Sequence, residues 1–197
     1  MSTFVLGSGS AGRRMLLKQA GLNFEVMRPE VDEDALKARF LREKRPLPEL
    51  ARALADAKAL EVSRRTDLPV LGADQILVLD ERLFSKPASM EEARENLLAL
   101  RGRTHELISA LSVARQGEIV WRHMDSARMH MRDFSDAFLA WYLKTAGEKV
   151  LASVGCYQIE GPGIQLFEKV EGDYFTIIGL PMIAFLQWLR GQGLIVA

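Results

Sequence analysis

Thr3-Phe4-Val5-Leu6-Gly7-Ser8-Gly9-Ser10-Ala11-Gly12-Arg13-Arg14-Met15-Leu16-Leu17 reads as a strand, a tight turn and the opening of a helix. The apolar run Phe4-Val5-Leu6 supplies the strand and Gly7-Ser8-Gly9-Ser10 the turn. Ser10 is a helix cap by type, and the helix is expected to run to about Ala20, with Gly21 as its stop. A strand that feeds a small-residue loop into a helix N-terminus leaves backbone N–H groups facing outward, where the helix dipole favours negative charge. Arg13 and Arg14 oppose that dipole and so serve the helix poorly. They serve a phosphate well, because a guanidinium holds its oxygens bidentately. A phosphorylated ligand is expected here.

The same residues match G-x-G-x-x-G, the dinucleotide fingerprint, and Glu30 lies 18 residues beyond Gly12, near the place of a ribose-binding acid. Three features oppose that reading. Bulky Arg13-Arg14-Met15 follow the third glycine, Glu30 stands in the acidic loop Pro29-Glu30-Val31-Asp32-Glu33-Asp34, and the later chain reads as long antiparallel strands. A nicotinamide-dependent oxidoreductase is the weaker alternative.

A chain of 197 residues suits one domain over residues 1–197, with room for two lobes. Lys plus Arg and Asp plus Glu number 26 each, so no global basic field draws the chain to nucleic acid. The one cysteine, Cys156, excludes an internal disulfide framework, fits a reducing cytoplasm, and reads as a buried small hydrophobe. Met1 is followed at once by a strand, so no signal peptide is expected. The apolar stretch Phe175 to Leu189 is broken by Gly179 and Pro181 and is too short for a membrane span.

The fold class expected is mixed α/β. Strands are read at Phe24–Met27, at Val70–Leu79 (one bent strand or a pair), at His105–Ala114 and at Ile119–Met131, the last two joined at Gln116-Gly117-Glu118. Helices are read from Pro48 to about Arg65, Met90–Leu100, Asp136–Lys144 capped by Ser135, and onward from Pro181. Gln165–Val170 and Tyr174–Ile178 read as a second hairpin around Glu171-Gly172-Asp173.

Asp74 is the clearest chemical candidate, because a carboxylate among Val70-Leu71-Gly72-Ala73 is costly unless paired or bound to metal. Glu33 belongs to the acidic loop and also suits a solvated helix start. Lys58, beside Leu54 at helical spacing, and Lys86, before Pro87, are ambiguous alone. His105, His123 and His130 lack zinc-site spacing, and His123 and His130 fall on opposite faces of a strand. Trp121, Trp141 and Trp188 lie on separate elements and read as core or subunit-contact residues. No Walker A pattern is present, which disfavours a P-loop enzyme.

Taken in order, a set of segments resembles the Maf family of nucleoside triphosphate pyrophosphatases over nearly the whole chain. They are Ser8-Gly9-Ser10 with Arg13 and Leu16-Leu17, Glu30-Val31-Asp32-Glu33, Leu54-Ala55-Asp56-Ala57-Lys58-Ala59, Gly72-Ala73-Asp74-Gln75 and Lys86-Pro87. Arg101-Gly102-Arg103-Thr104-His105, Gly155-Cys156-Tyr157-Gln158-Ile159-Glu160-Gly161 and Gly179-Leu180-Pro181 complete the set. The resemblance implies an inosine triphosphatase-like mixed sheet in two lobes with a cleft between them, flanked by helices. It also implies a cytoplasmic homodimer without membrane or nucleic-acid partners, using Mg2+ or Mn2+ to hydrolyse the bond between the α and β phosphorus atoms of a nucleoside triphosphate.

On matching positions, the resemblance gives phosphate binding to Ser8 and Arg13, charge along the triphosphate to Lys58 and Lys86, and metal holding to Glu33 and Asp74. Asp74 would also aim and deprotonate the attacking water. Gln75 and Glu160 resemble the subgroup acting on 7-methyl-GTP, since a carboxylate accepts hydrogen bonds from the guanine N1–H and amino group and suits the positive methylated ring. The chain departs from the family at Ala11-Gly12, where Gly12 replaces a residue able to stack on the base. Two more departures are Ser85 before Lys86 and Ala152-Ser153-Val154-Gly155, where an Asp-Lys pair is frequent. A dTTP/UTP pyrophosphatase and a nucleotide-binding regulator of septum formation with little turnover are the alternatives within the family.

Overall fold

The structure is a computed structural model describing residues 2–196. In chain order its strands are β1 (Phe4–Gly7), β2 (Phe24–Val26), β3 (Val70–Leu79), β4 (Arg82–Phe84), β5 (Thr104–Arg115), β6 (Glu118–Met131) and β7 (Phe167–Glu171). The α-helices are α1 (Ala11–Gln19), α2 (Glu33–Arg42), α3 (Leu47–Ser63), α4 (Met90–Leu100), α5 (Asp136–Ala146), α6 (Tyr174–Ile178) and α7 (Met182–Gly191), with 3-10 turns at Gly147–Ala152 and Pro162–Leu166. The strands form one mixed sheet in the order β2-β1-β3-β5-β6-β7, with β4 pairing off β3. β1 is parallel to β2 and to β3, whereas β3–β4 and β6–β7 are antiparallel. The α/β class with a mixed sheet flanked by helices is therefore observed.

The backbone divides into two compact units, one made of Met1–Gln75, Ile108–Asp125 and Asp173–Ala197, the other of Ile76–Leu107 and Ser126–Gly172. In the first unit the alternation of β1 explains the core. Phe4 and Leu6 pack with Leu16 and Leu17 of α1 and with Phe185 and Leu189 of α7, while Val5 faces Val62 of α3 and Val70. A strand covered on both faces by helices needs no polar side, which is why Phe4-Val5-Leu6 is uniformly apolar. Trp121 and Trp188, distant in sequence, meet in this unit with ring centroids 6.0 Å apart. Among the described residues no helix is long and apolar enough to cross a membrane.

α3 lies directly on β3. A Cβ placed on Gly72 would stand 2.4 Å from the Ala55 carbonyl oxygen and 2.6 Å from the Ala59 nitrogen, both backbone atoms of α3. Only glycine permits that approach. β3 is a single strand, so Asp74 sits in mid-strand among buried neighbours.

The structure overturns two sequence expectations. Tyr174–Ile178 is helix, not the return strand of a hairpin. Asp173 caps it by accepting a hydrogen bond from Thr176 N at 3.0 Å, and Gly179, at φ 99°, closes it in the left-handed region. The acidic loop, in turn, ends at Asp32, whose carboxylate accepts from Ala35 N at 2.9 Å and starts α2. The turn between β5 and β6 is two residues long, with both Gln116 and Gly117 at positive φ. That geometry matches the twist of a hairpin.

Candidate active site

Four charged side chains converge inside the first unit. Lys58, from α3, donates to Asp74 Oδ1 at 2.6 Å and lies 2.9 Å from Glu33 Oε1. Helix spacing alone suits Lys58 to solvent, but the tight seat of α3 on Gly72 turns the ammonium toward the middle of β3. Lys58 and Asp74 are each 7% exposed. Glu33, the first residue of α2, is the open member, with 39% of its side chain exposed. The loop before α2 is anchored where Glu61 accepts from Glu30 N at 3.0 Å.

Arg13 is buried beside them, and its donors can be counted. Nε donates to the Gly179 carbonyl at 2.8 Å, and Nη1 to the Ala73 carbonyl at 2.7 Å and to Ser8 Oγ at 3.1 Å. A guanidinium has five N–H groups, and among the described residues none accepts from Nη2, which leaves that pair to a ligand. Ser10 caps α1 by accepting from Arg13 N at 3.3 Å. Arg14 does not share this site. Adjacent helical residues point to different faces, and Arg14 lines a surface depression with Lys18, Asn23 and Phe24.

Burial acts against the charges of Asp74 and Arg13. It pushes the Asp74 carboxyl above its ordinary range, against the pull of Lys58 and Arg13. It pulls the Arg13 guanidinium down, against the support of Asp74 and Glu33. A carboxylate held ready to take a proton, next to donors that can receive anionic oxygens, is equipped for base-assisted attack on a phosphorus centre.

Gln75 faces protein acceptors. Its Nε2 donates to Ser109 Oγ and to the Thr176 and Ile177 carbonyls, each at 3.0 Å. Thr176 is fully buried, donates from its hydroxyl to Asp125 at 3.1 Å, and belongs to the helix that presents the Gly179 carbonyl to Arg13. This support of Arg13 through α6 was missed from the sequence. Its one legible signal was the Asp173-to-Thr176 cap spacing. Gly12 lies at the start of α1, where a Cβ would meet Ile178 Cγ2 at 3.3 Å.

Ser8, Gly12, Arg13, Glu33, Lys58, Asp74 and Gln75 thus lie in the first unit. Lys86 and Glu160 belong to the second. Lys86 is exposed in the segment between β4 and α4, and Glu160 is exposed in the turn ahead of the Pro162–Leu166 3-10 segment. Among the described residues, no three His, Cys, Asp or Glu side chains form a metal-holding group.

Residues 3–192 match the family model described as Maf-like protein. The chain is 50% identical to a nucleoside triphosphate pyrophosphatase of Caulobacter vibrioides, covering 98% of this chain and 97% of that one. It is 52% identical to a 7-methyl-GTP pyrophosphatase of Mesorhizobium japonicum, covering 97% and 96%. A 7-methyl-GTP pyrophosphatase of Rhizobium meliloti is 48% identical over 97% of this chain and 96% of its own. With its segments in family order and the match running from residue 3 to residue 192, this chain belongs to the Maf family.

Proposed function

We propose that this chain is a nucleoside triphosphate pyrophosphatase that hydrolyses the α–β phosphoanhydride bond, releasing a nucleoside monophosphate and pyrophosphate. The observation that carries the proposal is Asp74, a buried carboxylate with a raised pKa, flanked by Lys58 and Arg13. Asp74 orients a water and takes its proton. The free Nη2 edge of Arg13 and the Ser8 hydroxyl receive phosphate oxygens, with Lys58 and Lys86 adding charge along the triphosphate.

Glu33 and Asp74 are hard oxygen donors that suit magnesium or manganese, which commonly takes one or two carboxylates and fills its sphere with water and phosphate oxygens. Both already face a cation, the Lys58 ammonium, so the donor set fits. Such an ion would neutralise phosphate charge when bound.

The preferred substrate is 7-methyl-GTP, with Glu160 accepting from the guanine edge and Gln75 shaping the site from its place against α6. The names of the Mesorhizobium and Rhizobium relatives support this substrate. The working form is a cytoplasmic homodimer. The test is a panel of 7-methyl-GTP, GTP, UTP and dTTP with Mg2+ or Mn2+, read as pyrophosphate against orthophosphate. Pyrophosphate release with the highest kcat/KM for 7-methyl-GTP is expected. Orthophosphate, or no turnover, overturns the activity, and a higher kcat/KM for UTP or dTTP overturns the substrate.

A further inference from the structure

One nitrogen stands between the two oxygens that the proposed function gives to a divalent ion. The Lys58 ammonium is 2.6 Å from Asp74 Oδ1 and 2.9 Å from Glu33 Oε1. Arg13 brings a second positive charge that acts on both carboxylates. Two acids against two bases leave the cluster without net charge before any ligand arrives. A dication entering alone would add two positive charges where Lys58 and Asp74 are each 7% exposed and water screens poorly. A dication entering with a triphosphate brings more than enough negative charge to offset itself.

We infer that Lys58 is a resident cation that closes the Asp74–Glu33 pair to free metal and yields it only to a metal–nucleotide complex. The inference rests on the proposed metal-holding role of Asp74 and Glu33. The exchange needs no backbone movement. α3 is held on β3 at Gly72, whereas a lysine head travels on a flexible four-carbon stem. The incoming phosphate oxygens give the displaced ammonium new acceptors, so neither cation is left unpaired. Glu33, the exposed member of the pair, is the side from which the complex enters. Lys58 thereby fixes an order of binding and keeps the site from being loaded by metal without substrate.

The experiment is calorimetric titration of Mn2+ into the protein without nucleotide, for wild type, Lys58→Met and Lys58→Gln, and into wild type with a non-hydrolysable α,β-methylene analogue of 7-methyl-GTP. Thermal melting with and without Mn2+ runs alongside. We expect Mn2+ alone to bind both variants at least ~10-fold more tightly than wild type and to raise the melting temperature of the variants only. We expect wild type to gain a similar factor once the analogue is present. Equal Mn2+ affinity of wild type and both variants overturns the role of Lys58 while leaving the metal reading intact, provided the analogue still promotes binding. Absence of Mn2+ binding in every arm, analogue included, overturns the metal reading and this inference together. Should neither variant fold, equal Mn2+ affinity of wild type with and without analogue, after subtraction of Mn2+ binding by the analogue alone, overturns the inference, and protein-bound Mn2+ that appears only with the analogue upholds it.

Discussion

Compare the Arg13–Lys58–Asp74–Glu33 cluster of the first unit with the His105–Tyr157–Tyr142–Cys156 region of the second. Both bury groups able to ionise, but they meet the cost differently. In the first, acids face bases, and these contacts oppose the neutralising push of burial on Asp74 and Arg13. In the second, burial drives each group toward its neutral form. His105 falls to about 4, Cys156 rises to about 11, and the Tyr142 and Tyr157 phenols rise as well. Neutral polar contacts hold most of these groups, although His105 Nδ1 is buried without a hydrogen-bond partner among the described residues. His105 Nε2 and the Tyr157 hydroxyl share a hydrogen bond of 2.7 Å, and Tyr142 donates to the Cys156 carbonyl at 3.0 Å. The cluster sets opposite charges against one another, whereas the region around His105 meets burial with neutral groups.

Asp74→Asn tests that distinction most severely. An amide neither takes a proton nor serves a hard cation well, so turnover should fall at least ~100-fold while circular dichroism reports an intact fold. Retention of more than a tenth of the wild-type rate would remove Asp74 from the chemistry.

Gly72→Ala attacks the backbone contact beneath the cluster. Its Cβ meets backbone atoms of α3, so helix and strand must part, with a stability loss of about 3 kcal/mol in urea denaturation. Since α3 carries Lys58, kcat should drop as well. A variant as stable as wild type would show that the α3–β3 spacing is adjustable.

His105 gives the scaffold its own pH signature. As pH falls through 6.5 the unfolded chain protonates this imidazole, whereas the folded protein waits until about 4. The unfolded state therefore holds more protons across that window, and stability declines as pH drops. Between about pH 7.5 and about pH 5 the loss is roughly 2 kcal/mol, and it should vanish in His105→Gln. An equal decline in the variant would assign the effect to another group. The smallest expected effect is that of Asp173→Ala. It removes the cap of α6 and should cost about 1 kcal/mol in the same assay.

What was legible in the sequence tracks the range of the forces involved. The strand, turn and helix from Phe4 to Leu17 announced themselves through local pattern, as did helix α4 at Met90–Leu100. Asp74 stood out because a carboxylate in an apolar strand demands a partner. The identity of that partner was not legible, since Lys58 reaches it only through the close seat of α3 on Gly72. Tyr174–Ile178 misled because its β-branched and aromatic residues favour strand, and the Asp173 cap with the left-handed Gly179 prevailed over them. α2 was hidden by its charges, which leave Phe40 as its single fully buried side chain.

The route of the chain through the two units has a consequence for its synthesis. The first unit needs Met1–Gln75, Ile108–Asp125 and Asp173–Ala197, whereas the second is finished at Gly172. Arg13 and Gln75 are made early, yet some of their acceptors, the carbonyls of Thr176, Ile177 and Gly179, follow 101 to 166 residues later. Until then Arg13 has its contacts to Ser8 and Ala73 but lacks the one to Gly179. Assembly of this cluster is in this sense a late event, which waits until Gly179 has been made.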